Sequence, residues 1–462
     1  QDLQNEINAC VRRSESRPRF NTGDANGACN GNAPRMQDGA VHVFPLDQLN
    51  NAIRDMLQAI AKVILVARHG LFAKQLYLRT KTQGFNELPP SKKPSGLILG
   101  AVVSKSIKMQ TKYNEAELEF YNGLGGFSDN GKEYVIRLQN GQKTPAPWIN
   151  VIANPSFGFH VSAEGSGYTW CQNSRENQLT SWSNDAVSDP IGEIVYIQDQ
   201  DSGELYTATA QPLQDAGSYL IFHGRGYTRF EHQVGGLSLC LLQYVPVEDP
   251  IKIIRLSISN DSFTTRKLSV TQYTEWVLGN TRGPSGAFIT THEDTDTRAI
   301  LLRNRWGMAF PERVAFADMA GQQQSWTSDR TEFIGLNGQR SSPKALLAQV
   351  PLSGCVGAGF DPCTALQTTI EIKPGDSAEI VMFVGQGDSE SQAQTLIKTY
   401  RDKNLDTVFQ EVKAHWDKLL NKVQVSTPDR AMDIMLNGWL MYQTIACRIW
   451  ARSSFYQASG AY

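Results

Sequence analysis

What this sequence lacks narrows its chemistry first. It has no Cys-x-x-Cys pair and no His-Glu-x-x-His run, so the ligand spacing of a zinc site is missing. No Gly-x-Ser-x-Gly elbow marks a serine nucleophile. Its seven cysteines (Cys10, Cys29, Cys171, Cys240, Cys355, Cys363 and Cys447) are scattered and odd in number. Reduced thiols are therefore the expectation, although Cys355 and Cys363 bracket VGAGFDP closely enough to close a loop as a disulfide. The longest apolar run, around Ala59 to Ala67, is interrupted by Lys62 and is too short to cross a bilayer. No secretory leader opens the chain. Charge excess is missing as well: 44 Lys and Arg stand against 46 Asp and Glu, for a net charge of −2. With no positive field and no basic stripe, nucleic acid is not an expected partner.

Glycine and aromatic residues are plentiful, with 38 Gly, 9 Trp and 15 Tyr, as in a loop-rich β protein. One stretch concentrates them, GSGYTWCQNSRENQLTSWSNDAVSDP from Gly165 to Pro190. It sets Tyr168, Trp170 and Trp182 among Asn173, Arg175, Glu176, Asn177, Asn184 and Asp185, with little aliphatic filler. Flat rings beside amides, carboxylates and a guanidinium suit a sugar, whose C–H face packs on a ring while its hydroxyls take hydrogen bonds. A long loop anchored to the body by its two Trp residues is the competing reading.

The chain divides by pattern. Residues 1–112 read as a connector: an Asn/Gly/Arg-rich start, an amphipathic helix within 46–80, and a Pro-rich linker at 84–98. Residues 113–385 read as short strands, among them Glu133 to Leu138, Leu237 to Gln243, Ile251 to Ser259 and Lys267 to Trp276. Asn140-Gly141 and Pro374-Gly375-Asp376 are among the turns that separate them. Leu237, Leu239 and Leu241 alternate with Ser238 and Cys240, the pattern of a sheet with one buried face. Strands without interleaved helices predict a large antiparallel β-sandwich. Residues 386–426 read as a helical linker. From 427 a strongly apolar helix follows, capped by Thr427 with Pro428 at its first position and buried on most sides. The last residue, Tyr462, falls inside an ongoing motif, and the expectation is a piece of a longer polypeptide.

Several residue groups are candidates for chemistry. Arg448 and Arg452, four apart, share one face of the last helix and need an anion to offset their desolvation. A phosphate or structural carboxylates would serve. Ser453, Ser454, Tyr456 and Gln457 add hydroxyl and amide groups. His223, His232 and Glu231 form either an acid/base set or hydrogen-bonded residues of a sheet. Gly123 to Gly126 lacks the third glycine of a dinucleotide loop and carries no cofactor expectation. Glu293, Asp294 and Asp296 read as a solvated loop rather than a calcium site. No metal site is expected.

Taken together, the motifs resemble glycoside hydrolase family 94. The residues that carry this are FYNGLGGFSDNGKEYVIRL, TPAPWINVIANPSFGFHVSAEGSGYTWCQNSRENQLTSWSNDAVSDPIGE, FHGRGYTRFEH, VEDPIKI, YTEWVLG and LNGWLMYQTIACRIWARSSFYQASGAY. Within the family the chain looks most like the phosphorylase-like C-terminal part of the cyclic β-1,2-glucan synthases, over most of residues 41–462. The resemblance implies a β-sandwich, a helical linker and the start, at 427–462, of an (α/α)6 barrel. It also implies an inverting phosphorylase or glucan-synthase-type glycosyltransferase acting on a β-glucan, with inorganic phosphate as co-substrate and no further cofactor. Residue by residue, Arg452 matches the family's phosphate-holding arginine. Ser453 and Arg448 join it, while Tyr168, Trp170, Asn173, Arg175, Asn177, Trp182, Asn184 and Gln457 fall to the sugar side.

The family's Gly-Phe-Arg-Asp run and general-acid Asp are not in this sequence, so no catalytic residue is assigned and the chain alone is expected to be inactive. A non-catalytic carbohydrate-binding sandwich, or a scaffold between domains or protomers, is the alternative. The implied setting is the cytoplasmic face, with the parent anchored in a bacterial inner membrane through parts outside this sequence, and a possible homodimer.

Overall fold

β-Branched and aromatic runs punctuated by tight turns pair here into two antiparallel sheets. The structure is a computed structural model that describes residues 117–307 and 309–451. The expected connector helix and Pro-rich linker of residues 1–112, together with Arg452, Ser453 and Gln457, lie outside the described residues.

Turn chemistry acts where the sequence placed it. Asn140 and Gly141 both take positive φ, 51° and 78°, as a tight reversal after strand Glu133–Gln139 requires. Pro374-Gly375 forms a turn closed by the Asp376 N–H on Lys373 O at 3.0 Å, with Gly375 at φ 78°. This turn carries the chain from one sheet to the other.

Among the described residues the first sheet has ten strands. Their spatial order is Gly125–Ser128, Glu133–Gln139, Ser218–Gly224, Tyr227–Val234, Leu237–Tyr244, Ile251–Asn260, Ser377–Gly387, Val314–Asp318, Ile300–Asn304 and Ile289–Glu293. The second is built around the 14-residue strand Arg266–Gly279, which pairs with Pro362–Ile372 on one side. On its other side it pairs first with Glu193–Asp199 and then, past a register shift between Trp276 and Gly279, with Gln178–Thr180. Gly167–Cys171, Phe157–Ser162 and Ile149–Ala153 continue the sheet outward.

Three cores follow from this layering. The largest fills the space between the sheets, with Phe157, Phe159, Ile221, Leu239, Leu256, Trp276 and Met382. A second covers the outer face of the second sheet, where Tyr196 and Tyr273 lie under Phe333 and Leu346. The third covers the outer face of the first sheet. Strand Leu237–Tyr244 shows why the one-sided expectation fails: Leu237, Leu239 and Leu241 enter the inner core, while Leu242 and Tyr244 are buried on the other face beneath helix Leu405–Leu420. The loop-closing disulfide is not formed either; Cys355 and Cys363 are both free, and Cys363 is buried beside Ile194 in the second core.

Two connector helices follow the sandwich. Glu390–Asp402 is capped by Ser389 and Leu405–Leu420 by Asn404, each side chain accepting backbone N–H groups of the first turn. They bury Leu396, Ile397, Val408, Val412 and Trp416 against the first sheet.

Residues 430–450 form a last helical run with two corrections to the expectation. Its cap is Asp429, which accepts from Ala431 N and Met432 N, while Thr427 instead bonds the Asp433 carboxylate. Nor is the run buried on most sides: Met432, Leu436, Leu440, Met441 and Ile449 are exposed, because the described residues cover only the face toward the sandwich. It is α-helical over Arg430–Ile434 and Leu440–Gln443 and π-helical over Met435–Trp439 and Thr444–Trp450.

A polar hub fastens this run to the sandwich. The Tyr442 hydroxyl accepts the Gly226 N–H at 3.0 Å and reaches Val151 O at 2.8 Å and Asn150 Oδ1 at 3.0 Å. The Asn150 amide in turn donates to Gly224 O at 2.8 Å and Tyr227 O at 2.9 Å. Beside it His223 Nδ1 lies 3.0 Å from Thr228 Oγ1. Trp439 Nε1 donates to Gly131 O at 2.7 Å. All of these side chains are buried, so each lost partner leaves an unsatisfied group away from water.

Two outcomes follow. Tyr442→Phe is expected to cost about 1–3 kcal/mol in urea unfolding, since it orphans the Gly226 N–H and Val151 O; an unchanged midpoint would remove the hub from the account. Burial holds His223 neutral, moving its pKa from 6.5 down to about 4. Below the ordinary value the unfolded chain binds the proton that the folded chain refuses, so this residue makes stability fall as pH drops from 6.5 toward 4. An NMR titration of the His223 ring should show its midpoint near 4, and a midpoint at 6 or above would contradict the burial argument.

Candidate functional site

The last helical run and the outer edge of the sandwich enclose a cleft of about 380 Å³. Four strand segments supply one wall: Phe127, Tyr134 and Ile136, then Ile149, Asn150 and Val151 with Trp148 just before them, then His223. The helix supplies Met435, Trp439, Leu440, Gln443, Thr444, Cys447 and Arg448. Phe127 meets Tyr134 edge-on at 4.9 Å, and Trp439 and Trp148 stand 6.1 Å from Phe127 and Tyr134 respectively.

The π-helical turns decide what the helix presents. The Leu440 N–H bonds to Met435 O and the Ala451 N–H bonds to Ala446 O at 2.9 Å, each five residues back. The wider turn changes the phase of the side chains that follow, and Met435, Trp439, Thr444, Cys447 and Arg448 all lie in these stretches. The electrostatics are simple. His223 is neutral, the Cys447 thiol is pushed up to about 12 by burial, and Arg448, exposed at the rim, carries the cleft's charge. The site therefore combines an aromatic, low-dielectric floor with one rim cation and the amides of Asn150 and Gln443. Such a site can bind a ring with an anion beside it. Among the described residues it places no carboxyl group for acid catalysis.

The 165–190 stretch reaches the same end of the helix, though not in the way its composition implied. Tyr168 and Trp170 lie in strand Gly167–Cys171 and are 1% and 3% exposed. A Cβ on Gly158 would come within 2.6 Å of the Trp170 ring, so glycine there makes room for it. In this packing neither ring has a face to offer a sugar. Asn177 is likewise buried, donating to Cys171 O at 2.8 Å and Gln386 Oε1 at 2.7 Å. These three act from beneath.

Trp182 is half-buried, stacked on Tyr168 at 5.0 Å and 6° and edge-on to His160 at 5.1 Å. Under them Glu193 accepts from Thr169 and Thr180 and pairs with Lys252 at 2.9 Å, tying the two sheets together. Burial alone would raise the Glu193 carboxyl, but the Lys252 ammonium and these hydrogen bonds hold it below the usual range. The polar tip stands clear of the core. Asn173 Oδ1 accepts the Arg175 and Glu176 N–H groups at 2.9 Å, and Arg175 and Asn184 are exposed. Ser174 Oγ donates to the carbonyl of Ala451, the residue before Arg452.

The histidine set does not assemble. His232 is held by Ser218 O at 3.0 Å and Asp215 at 3.1 Å, whereas Glu231, its strand neighbour, points to the opposite face and pairs with Arg229. The acidic loop is consumed internally, with Asp294 on Thr297 and Gln394, Asp296 on Lys398 and Glu293 on Arg298. Sequence reasoning passed over Phe127, Tyr134, Trp148 and Asn150 as site residues. Trp148 in TPAPWINV carried the faintest signal, a large ring at a strand start.

Comparison with known proteins places the chain in a family. Residues 132–403 match the glycosyl hydrolase 94 supersandwich domain, and residues 415–462 match the catalytic domain of the same superfamily. The cyclic beta-(1,2)-glucan synthase NdvB of Rhizobium meliloti (strain 1021) is 35% identical over 426 residues, which cover 91% of this chain and 15% of that protein. An N,N'-diacetylchitobiose phosphorylase of Vibrio proteolyticus is 27% identical over 345 residues, covering 73% of this chain and 42% of the relative. The chain thus spans less than half the length of these relatives. No described helix is long and apolar enough to cross a membrane. On its sandwich and on the opening helix of its catalytic domain, the chain belongs to glycosyl hydrolase family 94.

Proposed function

We propose that this chain is the sandwich, connector and first barrel helix of an inverting glycoside phosphorylase or glucan-synthase-type enzyme that acts on a β-glucan with inorganic phosphate. The contact of Ser174 with Ala451 carries the reading, because it brings the polar loop of the sandwich to the end of the helix just before Arg452. The relatives supply the substrate class: one is a β-1,2-glucan synthase and others are phosphorylases of short saccharides.

In this reading Arg448, Arg452 and Ser453 hold phosphate. Asn173, Arg175, Trp182, Asn184 and Gln457 face the sugar, and Tyr168, Trp170 and Asn177 keep the loop in place. A phosphate oxygen attacks the anomeric carbon from the face opposite the glycosidic oxygen. The C–O bond breaks, the departing oxygen takes a proton from one carboxylic acid, and the sugar leaves as the inverted 1-phosphate. A guanidinium at the edge of an apolar cleft, as Arg448 is, suits an anionic nucleophile, since its attraction is weakly screened there. The acid is supplied from outside this sequence, so the isolated chain binds without turning over. No cofactor beyond phosphate is required. A homodimer, and attachment of the parent to the cytoplasmic face of the inner membrane, belong to the same proposal.

The test uses the whole enzyme that contains this chain, assayed for phosphate-dependent release of glucose 1-phosphate from linear β-1,2-glucan. Arg452→Ala should raise the phosphate concentration for half-maximal rate about 10- to 100-fold, as expected for loss of a charged hydrogen-bond donor. A rate independent of phosphate, or an unchanged phosphate requirement in the variant, would overturn the assignment.

A further inference from the structure

Among the ring pairs of the described residues, only Phe288 and Trp306 are both exposed. Phe288 is 42% and Trp306 70% accessible, and their rings stack 5.1 Å apart and 18° from parallel. Nothing in the cleft argument uses them.

The backbone that carries both rings is held in place. They grow from the same end of the strand pair Ile289–Glu293 and Ile300–Asn304, where Ile289 faces Asn304. Asn304 is buried and organises the turn that follows: its Oδ1 accepts the Trp306 N–H at 3.1 Å and its carbonyl accepts the Gly307 N–H at 3.1 Å. Its amide donates to Leu278 O at 2.8 Å. The Phe288 N–H bonds to Ser285 O at 3.0 Å. Backbone held this way, with the two rings stacked on one another, has already lost part of the freedom that binding would otherwise cost.

Polar groups accompany the pair. By strand alternation Thr290 shares the side of Phe288, and it lies opposite Arg303. On the other flank Leu278, at φ 44° in the bulged end of strand Arg266–Gly279, leads to Asn280, whose amide donates to Glu176 at 3.4 Å. The pair is thereby linked through one short segment to the polar tip of the sandwich loop.

Size selects the class of occupant. A stable protein partner buries about 800 Å² per side. Two rings of at most about 150–250 Å² each, already covering part of one another, fall well short. They match one or two sugar rings, whose C–H faces pack on the indole while the exposed Thr290 is at hand for a hydroxyl.

We propose that Phe288 and Trp306 form an accessory carbohydrate-binding platform for a glucan segment outside the cleft. The identity of the sugar rests on the function proposed above; the platform geometry does not. Retardation of the chain in gels containing linear β-1,2-glucan tests it. Trp306→Ala should weaken retention about five- to tenfold, as for loss of one aromatic contact, while Trp306→Phe should retain most of it. Because Trp306 is exposed, near-UV circular dichroism should report an intact fold.

Retention that falls in Arg448→Ala and not in Trp306→Ala would overturn the platform and leave the cleft reading standing. Loss in Trp306→Ala, with no phosphate-dependent cleavage by the whole enzyme, would uphold the platform and overturn the cleft reading. No retention of the unsubstituted chain, or a Trp306→Ala variant that only halves the particle mass, would overturn the platform.

Discussion

The buried phenol of Tyr442 is the centre of the hub that fastens the last helix to the sandwich. Its hydroxyl reaches the Gly226 N–H, Val151 O and Asn150, three groups from one strand and a hairpin turn, across the boundary between sandwich and helix. Because the surrounding contacts are apolar, those groups have no water to fall back on. The hub therefore fixes direction as well as adding stability. It sets which face of the last helix meets the sheet edge, and with that the width of the cleft and the position of Arg448 on its rim.

The cleft divides its physical work between two walls. Strands that reached this edge through sheet pairing contribute rings and one amide, all uncharged. The helix contributes one further ring, an amide and a cation, spaced by π-helical turns rather than by a regular 3.6-residue repeat. A guanidinium at the mouth of such a floor attracts an anion more strongly than one in open water, because the floor has little polarisability with which to screen it. Beneath the adjoining loop the Lys252–Glu193 pair has a different task. It is buried between the sheets and satisfied by Thr169 and Thr180, so it ties the two layers together just under the Tyr168–Trp182 stack. A pair of this kind brings little net stability but strongly disfavours arrangements that would separate its partners.

Much of the scaffold was legible in the sequence, since strand period, turn residues and helix caps are local signals. Leu237 to Tyr244, Ile251 to Asn260 and Glu390 to Asp402 announce themselves. What composition could not settle is which face of an element is covered. Tyr168 and Trp170 read as sugar-facing because they sit among amides, yet both strand faces at that point are buried, one under Trp182 and the helix end and the other beside Glu193. The last helix reads as buried on most sides because it is strongly apolar, but among the described residues only its sandwich face has a partner. The cleft itself was not visible at all. Phe127, Trp148, His223 and Trp439 come together through sheet order and helix docking, and neither leaves a periodic trace. The family motifs did identify the family and its fold, because they encode an arrangement rather than a preference.

The central claim is that ring and anion meet where the sandwich edge faces the last helix. A crystal structure of the whole enzyme with a β-1,2-linked glucose disaccharide and phosphate bound tests it most directly. The account predicts a sugar ring at the cleft bordered by Trp148 and Trp439 and within reach of Asn173, Arg175 and Trp182, with phosphate on the guanidinium of Arg448 and the residues that follow Ala451. Phosphate and sugar bound elsewhere, with this cleft closed by the enzyme's own side chains, would contradict it.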